Sequence, residues 1–304
     1  MHIRYQRSNM YHLLSLLCGL VVAVMVVFNG DFSNHYGLYT SLVFIHASGL
    51  LLITAVALLK RERPFKKMQK WYLYIGGVMG ILTVLFNNFA YSRISVSSIL
   101  ALSLLGQSLS GLVVDQTGWM GVPRRPFNSY RIYSLILIIA GSIVMIDRFD
   151  LPAVILSLAT GVNIVISRTI NAKLAEKTSV YVSTFYNYLL GLLFTIPVLL
   201  ILGTREPILA GNLAISPDIF IYLGGALGVC SVFICNLVVM KISAYYLTLL
   251  LFVGQIFSGV VIDAIIARSF SLRNTIGGIL VAAGLCVDFL LERKKQKDAE
   301  SGIT

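Results

Sequence analysis

Two stretches of the chain carry the same polar phrase in apolar surroundings. Ser103–Asp115 reads SLLGQSLSGLVVD and Leu251–Asp263 reads LFVGQIFSGVVID. Each sets a carboxamide (Gln107, Gln255), then a hydroxyl (Ser110, Ser258), then a carboxylate (Asp115, Asp263) along one apolar run. Residues three and four apart share a helical face, so amide and hydroxyl point the same way. A neutral amide can donate and accept but carries no charge. Its chemistry is either recognition of a polar substrate or a hydrogen bond to a neighbouring helix, which averages only about 0.6 kcal/mol. Both uses stay open for Gln107 and Gln255. Asp115 and Asp263 end their runs, where a carboxylate opposes the helix macrodipole. Each is therefore expected to have a cationic partner: Arg124, Arg125 or Arg131 for Asp115, and Arg268 or Arg273 for Asp263. A structural or gating ion pair is the preferred role over proton carriage.

Arg168 is the one charge well inside an apolar run. It can snorkel to the interface beside Lys173, or face a cavity and attract an anionic substrate. Asn163 and Asn171 lie on the same run, and Tyr186, Asn187 and Tyr188 on the next. With Gln107, Gln255, Ser110, Ser258 and Arg168, the two asparagines complete a candidate substrate-binding set. His46 reads as a hydrogen-bonded core residue. No Asp or Glu is expected deep in any run, which argues against a proton antiporter built on a carboxylate in its first span. Phosphate-loop, zinc-protease and nucleophile-elbow signatures are all missing, so no enzyme, cofactor or metal site is expected. Cys18, Cys230, Cys235 and Cys286 fall in apolar runs without metal-ligand spacing and read as small buried residues.

The elements that must position these residues follow from composition. The chain of 304 residues is 57% hydrophobic and 12% charged, against about 25% charged in a soluble domain. Mean hydropathy is +0.85. Apolar runs of about 20 residues read as transmembrane helices. Ten are expected, near 11–29, 38–59, 71–91, 94–114, 131–147, 151–170, 180–203, 218–240, 243–263 and 274–291. The fold class is thus an all-α integral membrane protein. With the N-terminus in the cytoplasm, 18 of the Lys and Arg residues fall on the inner side and 5 on the outer, as the positive-inside rule demands of ten spans with both termini cytoplasmic. The net charge of +11 is explained by these anchors, and no nucleic-acid partner is expected.

Residues 75–115 laid on 223–263 match at 14 of 41 positions without a gap. Apolar composition would match Leu and Val by chance. It would not match Gly76, Gly77 and Gly80 with Gly224, Gly225 and Gly228, Asn88 with Asn236, or the whole G-Q-x-x-S-G-x-V-x-D phrase. Earlier helices repeat at an offset of 142, which carries Gly19 onto Gly161, Asn29 onto Asn171 and Gly49 onto Gly191. The expected organisation is two five-helix units, residues 1–150 and 151–304 with a basic cytoplasmic tail. An odd number of spans per unit inverts the second, a plan common among secondary transporters. The glycine faces are expected to seat the third span on the fourth and the eighth on the ninth.

These residues carry a resemblance. G-G-x-x-G, then G-Q-x-x-S-G-x-V-x-D, then a basic loop with RRPF and Arg131 resembles the YdcZ family of the drug/metabolite transporter superfamily, in its fused two-unit form. The likeness covers nearly all of the chain. It departs at Met25 and Ser167, where family members tend to carry Gln, and the second unit has IIARSFSLR in place of the basic loop. The resemblance implies a bacterial inner-membrane exporter of a small metabolite or drug-like compound, with the bilayer and an unidentified small molecule as partners. One chain carrying both units can work as a monomer. The competing expectation is a membrane partner or assembly subunit that moves nothing. Polar residues converging on a midplane cavity would favour transport.

Overall fold

The computed structural model describes residues 2–65, 68–119, 131–211, 214–238, 244–267 and 271–300. Among them run ten α-helices and no strand: α1 (His2–Tyr36), α2 (Leu38–Leu59), α3 (Gly76–Tyr91), α4 (Val96–Thr117), α5 (Arg131–Met145), α6 (Leu151–Lys177), α7 (Val180–Leu202), α8 (Gly224–Val238), α9 (Ala244–Ala267) and α10 (Leu272–Glu300). Single 3-10 turns, Trp71–Tyr74 and Ile219–Leu223, lead into α3 and α8.

Local chemistry sets the helix ends. The Ser95 hydroxyl caps α4 by accepting from the Ser98 amide, and Gly118 closes the helix in the left-handed region at φ 66°. Asp150 caps α6, with Pro152 in the first turn where no amide hydrogen is needed. Ser179 caps α7. The start of α2 has no cap of its own. Its Tyr39 and Thr40 amides donate instead to the Glu206 carboxylate, at 2.8 and 2.6 Å, from the link after α7.

Among the described residues, seven stretches are long and apolar enough to cross a membrane: Met10–Tyr36, Leu38–Leu59, Trp71–Tyr91, Val96–Val114, Leu151–Lys177, Val180–Leu202 and Ile219–Val238. Three shorter apolar stretches, Ile132–Met145, Leu250–Ile266 and Leu272–Val287, belong to α5, α9 and α10. The first helix runs well past the expected end at residue 29. It therefore contains a carboxylate after all, Asp31, which accepts from the Tyr91 hydroxyl at 2.9 Å.

The most extensive helix contacts join the first half of the chain to the second: α5 with α10, α1 with α9, α3 with α6, α4 with α6, and α2 with α7. The main apolar core draws on both halves, with Ala23, Val26, Leu100, Leu104, Ile138, Phe252, Ile256 and Val281 packed together. Among the described residues, each apolar cluster draws on both halves. This corrects the expectation that the glycine faces seat α3 on α4 and α8 on α9. A methyl at Gly76 would overlap Asn171, and one at Gly77 would lie 2.6 Å from the Asn187 carbonyl. Gly224 faces Asn29, and Gly225 lies against the Ile45 carbonyl. The short α3–α4 link turns the chain, but the small-residue faces look across to the other half.

Candidate functional site

The phrase shared by α4 and α9 lies where those helices cross the other half. A methyl at Gly106 would overlap the Leu158 carbonyl and come within 3.1 Å of the Gly161 Cα. A methyl at Gly254 would overlap the Leu16 carbonyl and come within 3.0 Å of the Gly19 Cα. In return, a methyl at Gly161 would come within 2.6 Å of the Gln107 backbone nitrogen, and one at Gly19 within 2.8 Å of that of Gln255. The crossings α4–α6 and α9–α1 are thus built from the same residues at offsets of 148 and 142. Contact this close is possible only where neither helix carries a Cβ.

Both glutamines are buried at these crossings, 5% and 6% exposed. The Gln107 Oε1 accepts from Arg168 Nη2 at 3.4 Å. Arg168 therefore reaches across from α6 to α4. It lies within electrostatic reach of the Cys18 and Cys235 thiols, which are 3.9 Å apart between α1 and α8. No carboxylate among the described residues pairs with its guanidinium. The sequence shows the two cysteines only as small residues in separate apolar runs. Only their spacing across 217 positions makes them a pair, and no local pattern encodes it.

The other expected site residues divide. Asn171 is buried and donates to the Asn187 Oδ1 at 2.9 Å and to the Ser167 hydroxyl at 3.3 Å, while Ser183 donates to the Asn171 carbonyl. Ser167 donates to the Gly76 carbonyl. These residues form one polar seam among α3, α6 and α7. Asn163 uses its amide hydrogens on α3, donating to the Met79 carbonyl at 2.6 Å and to the Thr83 hydroxyl, a bond between helices. Ser110 shares Gln107's side of α4 but donates to the Gly106 carbonyl one turn back, at 2.7 Å. Ser258 is half-buried. Asn29, the residue aligned with Asn171, has a buried Oδ1 with no hydrogen-bond partner among the described residues, lying over Gly224. His46 is buried and bonded to the Leu42 carbonyl. Its ring fills the notch at Gly191, as the Tyr188 ring fills that at Gly49.

Asp263 accepts from the Val96 and Ser97 amides, at 3.0 and 2.9 Å. The positive end of α4 favours a carboxylate here. The side chain of Asp115 lies outside the described residues, as do Arg124, Arg125 and Arg268. Beside Asp263, the α3–α4 and α5–α6 turns are tied together. The Ser95 amide and the Ser98 hydroxyl donate to Asp147 at 2.9 and 3.0 Å, and Arg93 pairs with Asp150 at 3.0 Å. Burial pushes the Asp147 carboxyl up, but these hydrogen bonds to its charged form outweigh burial and hold it below the usual carboxylate range. Among the described residues, no three His, Cys, Asp or Glu gather as a metal site would require.

The arrangement suits binding more than bond-making: neutral amides and hydroxyls, one guanidinium, and two thiols at helix crossings. No curated protein matches the chain. A solved crystal structure 14% identical aligns over 95% of this chain and 98% of its own, with a TM-score of 0.64, a likeness of fold alone. The family described as "Putative inner membrane exporter, YdcZ" matches residues 10–144 and again 152–287. The chain belongs to that family, with two copies of its unit in one polypeptide.

Proposed function

We propose that the protein is a secondary transporter that exports a small metabolite or drug-like compound by alternating access between two inverted five-helix units. The observation that carries this reading is the pair of reciprocal crossings: α4 on α6 at Gly106 and Gly161, and α9 on α1 at Gly254 and Gly19. Equivalent helices of two inverted units meet in this way when an axis in the membrane plane relates them. Such an interface can open to either side. The two matched stretches support a division near residue 150, with both units inside one chain so that a monomer suffices.

All ten helices serve as spans in this arrangement, and the charge segregation supports termini in the cytoplasm. The substrate meets Gln107 and Gln255 at the crossings. Arg168 gives the pathway one cation, which favours a substrate with an anionic group. Asn171 and its partners line the neighbouring seam, and Asp263 holds the outer end of α4. Ser110, Ser258 and Asn163 shape the walls.

Flux into proteoliposomes from pooled metabolites, with and without a pH gradient, tests the proposal. Gln107→Leu, Gln255→Leu and Arg168→Gln are expected to reduce flux with little loss of folded protein. Native flux in all three would sink the assignment of these residues. No flux of any pooled compound through the native chain would sink transport of that pool.

A further inference from the structure

A cavity of about 390 Å³ opens at the end of the bundle where α2 leaves and α6 turns into α7. Arg61, Arg63, Lys177, Glu62, Thr178 and Val182 line it. Its volume lies within the range of about 300–1,000 Å³ seen for small-molecule sites. The lining holds three cations against one carboxylate. None of these charged groups has an ion-pair partner among the described residues. The wall is fixed in place: the Phe65 ring meets Phe185 and Tyr186 edge-on, and the Tyr186 hydroxyl donates to the Pro64 carbonyl at 3.3 Å.

The backbone marks Arg61 independently. It is the one described non-glycine residue in the left-handed region, at φ 56°. The Arg61 amide donates to the Leu58 carbonyl and the Glu62 amide to the Ala57 carbonyl, both at 2.9 Å. These two bonds close the C-terminus of α2 in a motif whose left-handed position is usually glycine. Strain of this kind persists where the side chain has a use. A cationic anchor for membrane topology could stand at any neighbouring position and has no need of this one.

We propose that the cavity binds a phosphate group, carried by a soluble phosphomonoester or by a phospholipid headgroup. A phosphomonoester holds about −1.5 to −2 charge at neutral pH, which the excess of two cations over Glu62 matches. The planar Arg61 and Arg63 guanidinium groups suit phosphate oxygens, with Lys177 as a point charge opposite. Val182, which is buried, and the aliphatic stems of the cations give the remainder of the ligand an apolar floor. Binding here draws on the transport reading only for the side of the membrane the cavity faces.

The test uses the purified full chain, with glycerol phosphate as the probe, titrated by calorimetry in detergent and in lipid nanodiscs. Native mass spectrometry of the same preparations counts retained phospholipid. Arg61→Gly keeps the turn, and its melting temperature reports that the fold is kept. Lys177→Gln is the second variant and Arg205→Gln the control. Saturable probe binding that falls about tenfold or more in both variants, and not in the control, assigns a soluble phosphomonoester. Absent probe binding, with a retained phospholipid that both variants lose, assigns a headgroup. Probe binding and retained lipid that are the same in native chain and variants overturn the proposal. A chain that binds the probe and moves none of the pooled compounds would sink transport of that pool and leave this site standing.

Discussion

Gly106→Ala and Gly111→Ala change the same phrase, five residues apart, and should do opposite things. A methyl at Gly106 overlaps the Leu158 carbonyl and presses on the Gly161 Cα at 3.1 Å, whereas a methyl at Gly111 meets nothing within 4 Å. Ordinary contact lies near 3.5–4.0 Å, so α4 and α6 must part by roughly 1 Å to admit the first methyl. Overpacking of this order costs about 1–3 kcal/mol. Alanine also favours a helix over glycine by about 1 kcal/mol, and that gain is common to both variants. The difference between them therefore isolates the steric cost. At about 2–4 °C per kcal/mol for a chain somewhat smaller than this one, Gly106→Ala should melt about 2–12 °C below Gly111→Ala. Intrinsic fluorescence of the detergent-purified chain reads this through Trp71 and Trp119. Gly254→Ala meets the Leu16 carbonyl and the Gly19 Cα and should track Gly106→Ala within about 1 kcal/mol, the additivity error and contact differences included. If Gly106→Ala and Gly111→Ala melt together, the crossing is not set by glycine and the reciprocal geometry loses its physical basis.

Three further outcomes follow from the same contacts. Asp263→Leu leaves the Val96 and Ser97 amides without their acceptor and should cost about 2–4 kcal/mol, with Asp263→Asn recovering part of it; an unchanged melt for the Leu variant would contradict the cap. Asp147 has its carboxyl held down in the folded state, so its contribution is present above about pH 4, the unfolded value, and fades as pH falls through the lower folded one. Native chain should lose stability on acidification below about pH 4 more steeply than Asp147→Asn, and equal slopes would remove this role. Cys18 and Cys235, with Sγ atoms 3.9 Å apart, should be joined by a mild oxidant, giving a species of altered gel mobility that Cys18→Ser or Cys235→Ser abolishes; failure to cross-link would put α1 and α8 elsewhere.

Helices were easy to read because a span must keep its backbone bonds internal and its surface apolar, and both demands are written as long runs. The repeat is readable because Asn, Gln and Asp are costly in lipid unless a neighbour needs them, and because repeated glycines mark close helix approach. Partners were harder. Gly76 and Gly77 announced a close approach, but chain adjacency pointed to α4, while the true neighbours are Asn171 and Asn187, about a hundred residues away. Asp263 at the end of its run calls for donors, but the sequence does not say which: the Val96 and Ser97 amides carry no letters of their own. Asn163 bonds a backbone carbonyl of α3, a partner that no local pattern in the sequence names. The cavity beside Arg61 went unread because its basic residues are also what topology requires.

One consequence of Arg168 concerns parity. The offset that carries Gly19 onto Gly161 and Asn29 onto Asn171 carries Val26 onto Arg168. Val26 is buried in the shared core, and Arg168 reaches Gln107. A pair of identical units can only hold charges in even numbers about its centre: two arginines, which repel, or none. Joining the units in one polypeptide releases equivalent positions from having to be equal. The chain can then keep a single positive charge where a symmetric pair could not, and a singly charged anion is enough to balance it.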